Sequence, residues 1–253
     1  MDTSRLSRCG WNSFRTELFL GEPGRQSRNV GPQFLAIARD FCGGQSVLEL
    51  CCGAGRLCIE LARAGYDVTG IDLDERMLRT ARRALGQESA DTQARARFTQ
   101  DDVTRFDLDR QFDLIMFEDD GFVYLLDQAD QLACLDRVRR HLAPEGWFLL
   151  AFTTPQRELD QDYAGRVLGS AEFEYDPLRQ VKTCLCSWTV ADQAGGESVV
   201  QEGHERRRLT YPCELELLLR SSSLEVVERW GDLERTPFRD PCRQDYHYLC
   251  RKA

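Results

Sequence analysis

The stretch that decides the fold is SVLELCCGAGRLCIELARAG, residues 46–65. Its first part, 46–52, is a nearly continuous apolar run, which is typical of a strand buried on both faces in a parallel sheet. A turn with Gly53 and Gly55 follows, and the next apolar residues predict a helix that ends at Gly65. A strand joined in this way to a helix is the repeating unit of α/β folds.

Strands and helices alternate on both sides of this stretch, as far as residue 152. Such alternation predicts an α/β, Rossmann-like, doubly wound sheet with helices on both faces. We predict helices at PQFLAIARDF (32–41), ERMLRTARRAL (75–85) and ADQLACLDRVRRHL (129–142), and further strands at 67–73, 96–100, 112–118 and 146–152.

The C-terminal part has a different pattern. Alternating segments over 172–209 predict an antiparallel ribbon, and LEVVERW (224–230) and YHYLCRK (246–252) predict two strands that complete a mostly parallel, seven-stranded sheet. The predicted division is an N-terminal helical cap (1–30), a Rossmann-like core (31–153), an antiparallel insertion that serves as lid or oligomer interface (154–210), and a closing helix with two strands (211–253).

Charge and length limit the function. The chain has 253 residues, with 33 basic and 42 acidic side chains, and its net charge is −9. An acidic protein is a poor nucleic-acid binder, because phosphate contacts need a basic face, whereas it suits a neutral or cationic small molecule. No apolar run approaches the roughly 18–20 residues of a membrane span, and no signal core is visible. We therefore expect a cytoplasmic protein that binds neither membrane nor nucleic acid.

The eleven cysteines are interpreted mainly as reduced core residues, because free cysteine packs as a small hydrophobic side chain. A zinc site would need paired Cys-x-x-Cys or clustered histidine spacing. The sequence has neither, and Cys184 and Cys186 share one face of a predicted strand, which is typical of packing. No metal site is predicted.

The residues with chemical potential lie at the first strand and the two strands after it. Gly53 and Gly55 let the backbone pass close to a ligand, and the N–H groups at the start of the next helix favour a carboxylate. Asp72 ends the second strand, where an acidic side chain accepts hydrogen bonds from both ribose hydroxyls. Together they indicate a cofactor that contains a nucleoside.

Five segments, taken in order, resemble the motifs of class I S-adenosylmethionine-dependent methyltransferases. They are VLELCCGAGRL (47–57), GYDVTGIDLDERMLRTAR (65–82), FTQDDVTRFDL (98–108), FDLIMFEDDGFVYLL (112–126) and RVRRHLAPEGWFLLAF (137–152). The tail at 209–238 is similar to members that tailor small natural products. The resemblance implies an enzyme that binds S-adenosylmethionine and releases S-adenosylhomocysteine.

The resemblance also implies where the cofactor binds. The turn after the first strand would face its methionine part, the end of the second strand its ribose and adenine, an acid after the third strand its adenine amino group, and the tip of the fourth strand its sulfonium. The residues concerned are Arg28, Glu49, Cys51, Gly53, Gly55, Asp72, Leu73, Met77, Asp102, Val103 and Phe117. Cys51 stands where the family usually has glycine. Since cysteine carries a Cβ, we expect a negative φ there.

The methyl acceptor is expected beyond the fourth strand. Transfer from a sulfonium is an in-line displacement, so the enzyme must align the reactants and exclude water. An acidic run there would attract and orient a cationic amine, and the N-terminal segment would close over the cofactor. Acceptor positioning is assigned to Phe117, Glu118 and Asp119, and substrate binding to Trp11, Phe14, Asp120, Phe122 and Tyr124. The preferred acceptor is an amine of a secondary metabolite, such as an antibiotic or amino-sugar intermediate.

Each assignment has an alternative. Asp72 would equally serve as a helix N-cap, Asp101 competes with Asp102, Met77 fits plain core, and residues 118–120 fit a solvated acidic turn. For function, the alternatives are an oxygen or carbon acceptor, a non-catalytic cofactor-binding subunit, an arsenic methyltransferase suggested by the cysteine count, and a nicotinamide-dependent oxidoreductase. The last is suggested because Gly53-x-Gly55-x-x-Cys58 nearly matches Gly-x-Gly-x-x-Gly/Ala.

Overall fold

The computed structural model describes residues 31–118, 120–160, 172–190 and 199–253. The predicted N-terminal cap at 1–30 lies outside the described residues, and so do the site residues Trp11, Phe14, Arg28 and Asp119 that were predicted from sequence.

Helices and strands alternate through the first two thirds of the described chain. The helices are α1 (Gly31–Phe41), α2 (Arg56–Arg63), α3 (Glu75–Leu85), α4 (Ala90–Arg95), α5 (Gln128–His141), α6 (Pro155–Glu158) and α7 (Pro212–Ser221), with a 3-10 turn at Gly121–Tyr124. The strands are β1 (Ser46–Leu50), β2 (Asp67–Asp72), β3 (Ala96–Gln100), β4 (Phe112–Phe117), β5 (Leu142–Phe152), β6 (Phe173–Asp176), β7 (Val181–Val190), β8 (Val199–Arg208), β9 (Leu224–Trp230) and β10 (Tyr246–Lys252).

The main sheet has seven described strands in the order β3-β2-β1-β4-β5-β10-β9. Strands β1 to β5 pair in parallel, whereas β10 runs antiparallel to both β5 and β9. The strand order reverses between β1 and β4, and in sheets of this kind ligands bind at that switch point, beyond the carboxyl ends of the strands. The predicted Rossmann-like class and the two closing strands are confirmed.

A second sheet of three described strands has the order β6-β7-β8 and is antiparallel, which confirms the predicted ribbon. In its register, Lys182 of β7 lies opposite Arg207 of β8, and Cys184 lies opposite Glu205. This register places charged side chains of the two strands next to each other on the sheet. The predicted role of the ribbon as a lid or an oligomer interface stays a prediction.

Apolar side chains on both faces of the main sheet explain the continuous apolar runs in the sequence. In β4, Ile115 and Phe117 belong to one hydrophobic cluster and Leu114 and Met116 to the other. A strand buried on both faces needs an apolar residue at every position. The clusters therefore hold the switch point rigidly between two layers of packed side chains.

Cysteine contributes to both hydrophobic clusters of the described residues. Of the nine cysteines whose side chains the structure describes, six are buried and all nine are free thiols. Within the described ranges, no group of three histidine, cysteine or acidic side chains is placed to hold a metal ion. No described helix is long and apolar enough to cross a membrane. The cytoplasmic location and the four-part division stay predictions.

Candidate functional site

The carboxyl ends of three neighbouring strands form the candidate site. Leu50, the last residue of β1, is in register with Ile71 of β2 on one side and with Phe117 of β4 on the other. Immediately beyond β1, the N–H of Cys52 donates to the carbonyl of Ile71 at 3.0 Å. The turn after β1, residues 51–55, therefore lies directly above the ends of β2 and β4; we name it the glycine turn.

The backbone of the glycine turn is left-handed at alternate positions. Cys51 has φ 55°, Gly53 has φ 53° and Gly55 has φ 73°. The expectation of a negative φ at Cys51 is wrong. The chain must reverse between the last pair of β1 and the Cys52 hydrogen bond to Ile71, so the reversal falls on residue 51. A side chain with a Cβ is strained in this region, by about 1–2 kcal/mol.

The two glycines also allow close packing around the turn. A Cβ at Gly55 would lie 2.5 Å from the Phe98 ring and 2.8 Å from the Cβ of Ala81, and one at Gly53 would lie 3.1 Å from Cε of Met77. Gly55 is also the N-cap of α2. The start of that helix provides N–H groups suited to a carboxylate, and no residue larger than glycine fits this path without displacing its neighbours.

Glu49 points from β1 to the helix that follows the turn. It is buried, and its Oε2 accepts a hydrogen bond from the Cys58 thiol at 2.8 Å. A Cβ on Gly70 would lie 2.7 Å from Sγ of Cys58 and 2.8 Å from Sγ of Cys52, so the two thiols occupy space that Gly70 leaves open. Sequence reasoning missed Cys58 as the partner of Glu49. Its place in the first turn of α2, directly after the glycine turn, is the signal that would have found it.

Asp72 braces the glycine turn from the neighbouring strand. Its Oδ2 accepts from the N–H of Gly53 at 2.8 Å, and its Oδ1 accepts from the N–H of Asp74 at 2.8 Å. Burial raises the pKa of Asp72 to about 6. The N-cap of α3 is Asp74, whose Oδ1 accepts from the N–H of Arg76 at 2.9 Å. The N-cap alternative for Asp72 is therefore wrong.

The remaining predicted cofactor residues follow β2 and β3, which are neighbours in the sheet. Met77 is buried in the first turn of α3, and Val103 is buried as well. The carbonyl of Leu73 accepts from Nε2 of Gln100 at 2.9 Å. Asp102 is buried, and its Oδ1 accepts from both N and Oγ1 of Thr104, at 2.9 and 2.7 Å. Met77 reaches the glycine turn, since a Cβ on Gly53 would lie 3.1 Å from its Cε. The roles of all these residues toward a cofactor stay predictions.

Glu118 and residues 120–124, which we name the acceptor turn, begin where β4 ends. Phe117 is fully buried and packs edge-to-face against Phe122, with centroids 5.9 Å apart. A Cβ on Gly121 would lie 2.3 Å from the Phe117 ring and 3.0 Å from the Cβ of Cys51. The acceptor turn and the glycine turn therefore touch at this glycine. Glu118 lies half-buried beside them.

Asp120 has a different setting from the one expected of an acid that attracts an amine. Its carboxylate accepts from the N–H of Thr153 at 2.7 Å and from Nη1 of Arg207 at 3.0 Å. Its charge is thus paired with a guanidinium. Phe122 is buried against Phe152, so it packs in the core. The predicted contacts of these residues with an acceptor stay predictions.

Asp120 belongs to a group of six buried or nearly buried polar side chains that we name the buried charge cluster. Arg207 pairs with Glu205 at 2.8 Å and with Glu158 at 2.5 Å, and Lys182 pairs with Glu158 at 3.2 Å. Burial alone would lower the pKa of Arg207, but the surrounding carboxylates, Glu158 first, hold it above its ordinary value. The members are Asp120, Tyr124, Glu158, Lys182, Glu205 and Arg207.

Tyr124 is the neutral member of this cluster. Its hydroxyl donates to Oε1 of Glu205 at 2.6 Å and accepts from Nη2 of Arg207 at 3.2 Å. The sequence reasoning predicted Tyr124 as a wall of the acceptor pocket and missed four of the charged members. Their signal was weak: β8 carries charges at residues 205 and 207, on the strand positions that here face inward.

Known proteins resemble this chain both in sequence and in fold. Residues 47–146 match the family model described as a methyltransferase domain. The chain is 36% identical to the putative methyltransferase YqeM of Bacillus subtilis over 104 residues, which is 41% of this chain and 40% of that protein. It is 26% identical to the cypemycin N-terminal methyltransferase of a Streptomyces species over 205 residues, which is 77% of this chain and 78% of that protein. The chain thus spans about two fifths of the first curated relative.

Two solved structures share the whole fold. The CcbJ methyltransferase from Streptomyces caelestis superimposes with a TM-score of 0.77 at 24% identity, covering 94% of this chain and 96% of that one. CalS10, an amino pentose methyltransferase from Micromonospora echinaspora solved with S-adenosylmethionine, gives 0.67 at 18% identity, covering 96% and 98%. The resemblance predicted from the sequence is supported: residues 47–146 match the methyltransferase domain model, and the fold is shared with solved methyltransferases.

Proposed function

We propose that this chain transfers a methyl group from S-adenosylmethionine to an amine nitrogen of a small natural-product intermediate, such as an antibiotic or amino-sugar precursor. One observation carries the cofactor part: the carboxylate of Asp72 accepts from the N–H of Gly53 at 2.8 Å. That contact supports the assignment of Asp72 to the ribose hydroxyls, because it joins this acid to the backbone turn that we assign to the methionine part. The methyltransferase domain match supports the reaction class and favours it over a nicotinamide-dependent oxidoreductase.

The cofactor residues have separate tasks in this proposal. The carboxylate of Glu49 binds the ammonium of the methionine part, and the start of α2 binds its carboxylate, together with Arg28. Asp72 binds the ribose hydroxyls, and Asp102 binds the adenine amino group beside Val103. The contact of the Cys58 thiol with Glu49 at 2.8 Å fixes one carboxylate oxygen and with it the orientation of the carboxylate.

Methyl transfer itself needs alignment more than acid–base chemistry. The nitrogen lone pair attacks the methyl carbon while the carbon–sulfur bond breaks, and its electron pair stays on sulfur. An ammonium acceptor must first lose a proton. Glu118 follows the last residue of β4 and lies half-buried beside the glycine turn, so we assign to it the orientation of the amine. Two similar proteins support nitrogen as the acceptor class, namely the cypemycin N-terminal methyltransferase and the amino pentose methyltransferase CalS10.

The test is a pair of measurements on the purified chain. Calorimetry with S-adenosylhomocysteine measures cofactor binding, and incubation with methyl-labelled S-adenosylmethionine and a panel of amines, alcohols and phenols measures transfer. We expect one-site binding and label on amines. Label only on alcohols or carbon would overturn the nitrogen assignment, and binding without transfer to any compound would favour the non-catalytic alternative.

The role of Glu118 has its own test. Glu118→Gln keeps the shape but removes the charge, so we expect turnover with the best amine to fall by about 10–100-fold, in the range typical of one acid–base or orienting group. The dissociation constant of S-adenosylhomocysteine should change less than about threefold, which is under 1 kcal/mol. Asp91→Asn, an exposed acid in α4, is the control. Equal losses of turnover and of cofactor affinity would remove Glu118 from the acceptor side.

A further inference from the structure

The acceptor turn is connected to a distant part of the chain by one guanidinium. Arg207 lies in β8 of the ribbon and is buried. Its Nη1 contacts Oδ2 of Asp120 at 3.0 Å and Oε1 of Glu158 at 2.5 Å, and its Nε contacts Oε1 of Glu205 at 2.8 Å. Asp120 is separated from Arg207 by 87 positions in the sequence.

We infer that Arg207 is a positioning residue for the acceptor turn, which it holds in place from the ribbon through the carboxylate of Asp120. The inference rests on the proposed function in one respect only, namely that the acceptor turn receives the methyl acceptor. Arg207 is not a catalytic residue in this view, because its contacts are with the protein's own side chains.

Asp120 is the residue through which the restraint acts. Its backbone is left-handed, with φ 65°, a conformation that aspartate adopts when its side chain is hydrogen-bonded. Hydrogen bonds from N and Oγ1 of Thr153, at 2.7 and 3.2 Å, and from Arg207 hold its side chain. These contacts keep the acceptor turn against the end of β5 in this left-handed conformation.

Removal of the guanidinium would act on Asp120 before its neighbours. The cluster holds three carboxylates, and without Arg207 its remaining described cation would be Lys182. The side chains of Glu158 and Glu205 are 1% and 0% exposed, whereas that of Asp120 is 17% exposed. Because a buried unpaired charge is costly, the carboxylate nearest to water would turn outward. The acceptor turn would then lose its attachment to the ribbon.

Lysine would not replace Arg207. The guanidinium reaches Asp120, Glu205 and the Tyr124 hydroxyl from three different nitrogens, and its planar, forked geometry makes such contacts simultaneously. A single ammonium cannot span them. Arg207→Lys therefore keeps the charge but should lose the contact with Asp120, which makes it the informative variant.

Arg208, the next residue of β8, is a matched control. It is also buried, and it pairs with Glu214 of α7 at 2.6 Å. Its other contacts are with Gln131 of α5, Thr210 and Gln180. Consecutive strand residues point to opposite faces, so Arg208 ties the ribbon to α5 and α7 and Arg207 ties it to the acceptor turn.

Hydrogen–deuterium exchange followed by mass spectrometry tests the inference on the full chain without an acceptor. The amides of Gly121, Val123 and Leu125 donate to backbone carbonyls within the turn, so they report its order. In Arg207→Lys and Arg207→Met we expect exchange over residues 118–125 to accelerate at least tenfold, while residues 46–72 keep their rates. In Arg208→Met we expect acceleration over 128–141 and 212–221 instead.

Two results would overturn the inference: unchanged exchange over 118–125 in Arg207→Lys, or acceleration spread evenly over the whole chain, as general loss of stability would produce. If Arg207→Met fails to fold, the lysine variant decides alone. Calorimetry should give dissociation constants for S-adenosylhomocysteine that agree within threefold between the Arg207→Lys variant and the wild type. Failure of the wild type to bind would reject the proposed cofactor and leave the exchange result to be judged separately.

Discussion

The two halves of the candidate site are built in different ways. The cofactor half, at the ends of β1 and β2, consists of backbone: alternate residues of the glycine turn have positive φ, and the N–H of Gly53 is fixed by the carboxylate of Asp72. The acceptor half, at the ends of β4 and β5, is fixed by long charged side chains, with Arg207 reaching Asp120 across 87 positions of sequence. Backbone geometry leaves few alternatives at a position, whereas a side-chain cluster can be exchanged member by member. The cofactor half is therefore specified by residues close in sequence, and the acceptor half by the tertiary fold.

The features that the sequence predicts are those built from residues close to one another in the chain. β9 and β10 have the predicted bounds, because their apolar residues alternate with polar ones between clear turn residues. The glycine turn was also predictable, since strand, glycines and helix are adjacent in sequence. The short helices α4 and α6 were missed, because six and four residues carry no periodicity. Their local signals are the N-caps Ser89 and Thr154, with Pro155 at the first position of α6.

The buried charge cluster lay beyond sequence reasoning for a physical reason. Its members come from the acceptor turn, α6, β7 and β8, and none of these segments shows a motif by itself. The register of Lys182 with Arg207 becomes known only when β7 and β8 are paired. The φ of Cys51 was predicted wrongly because residue preference was weighed without the reversal that the Cys52–Ile71 hydrogen bond imposes.

The largest effect should come from filling the backbone-built half. Gly55→Ala places a Cβ 2.5 Å from the Phe98 ring at a φ of 73°, and we expect a loss of about 2–5 kcal/mol in the free energy of unfolding, from overpacking and left-handed strain together. Urea denaturation measures it. Gly65→Ala is the matched control, since Gly65 has φ 96° but no atom within 4 Å, so strain alone should cost about 1–2 kcal/mol. Equal losses in both would show that the close packing around Gly55 contributes nothing.

The second-largest effect should be a loss of cofactor affinity when Asp72 is replaced. Asp72→Ala removes the acceptor for the ribose hydroxyls and the brace on Gly53, and we expect S-adenosylhomocysteine to bind about 10–150-fold more weakly, as for a charge-assisted hydrogen bond of about 1.5–3 kcal/mol. Calorimetry measures the dissociation constant. Asp67→Ala, at the exposed opposite end of the same strand, should bind normally. Normal binding by the Asp72 variant would contradict the ribose assignment.

The protonation of Asp72 gives a third, smaller effect. Its pKa is raised to about 6 by burial, and the ribose hydroxyls need the carboxylate as acceptor. Affinity for S-adenosylhomocysteine should be constant above pH 7 and fall below pH 6, approaching tenfold per pH unit. The folded pKa exceeds the ordinary value, so the folded protein holds more protons between pH 3.8 and 6. Asp72 therefore contributes less stability as the pH rises through that window.

The pH effect is isolated by Asp72→Asn, which cannot titrate. Titration calorimetry between pH 5 and pH 8 should show the slope in the wild type and a flat profile in this variant. A slope of the same size in both proteins would assign the pH dependence to another group.

The smallest effect tests the strain at Cys51. Cys51→Gly relieves the strain of a left-handed backbone, which is about 1–2 kcal/mol. It also raises the conformational entropy that the chain loses on folding, which costs about 0.5–1 kcal/mol. We expect a net gain of about 0.5–1 kcal/mol in the free energy of unfolding, measured in urea. Affinity for S-adenosylhomocysteine should stay the same, because the turn already has this conformation. A loss of stability would mean that packing of the Cys51 side chain outweighs its strain.

The central claim is that the glycine turn and the acid ending β2 bind one adenosyl sulfonium molecule together. Titration of S-adenosylhomocysteine into the wild-type chain, with Asp72→Ala alongside, tests this most directly. We expect a single binding site per chain in the wild type and a large loss of affinity in Asp72→Ala. The absence of any binding heat in the wild type across several temperatures, together with no thermal stabilisation, would contradict it.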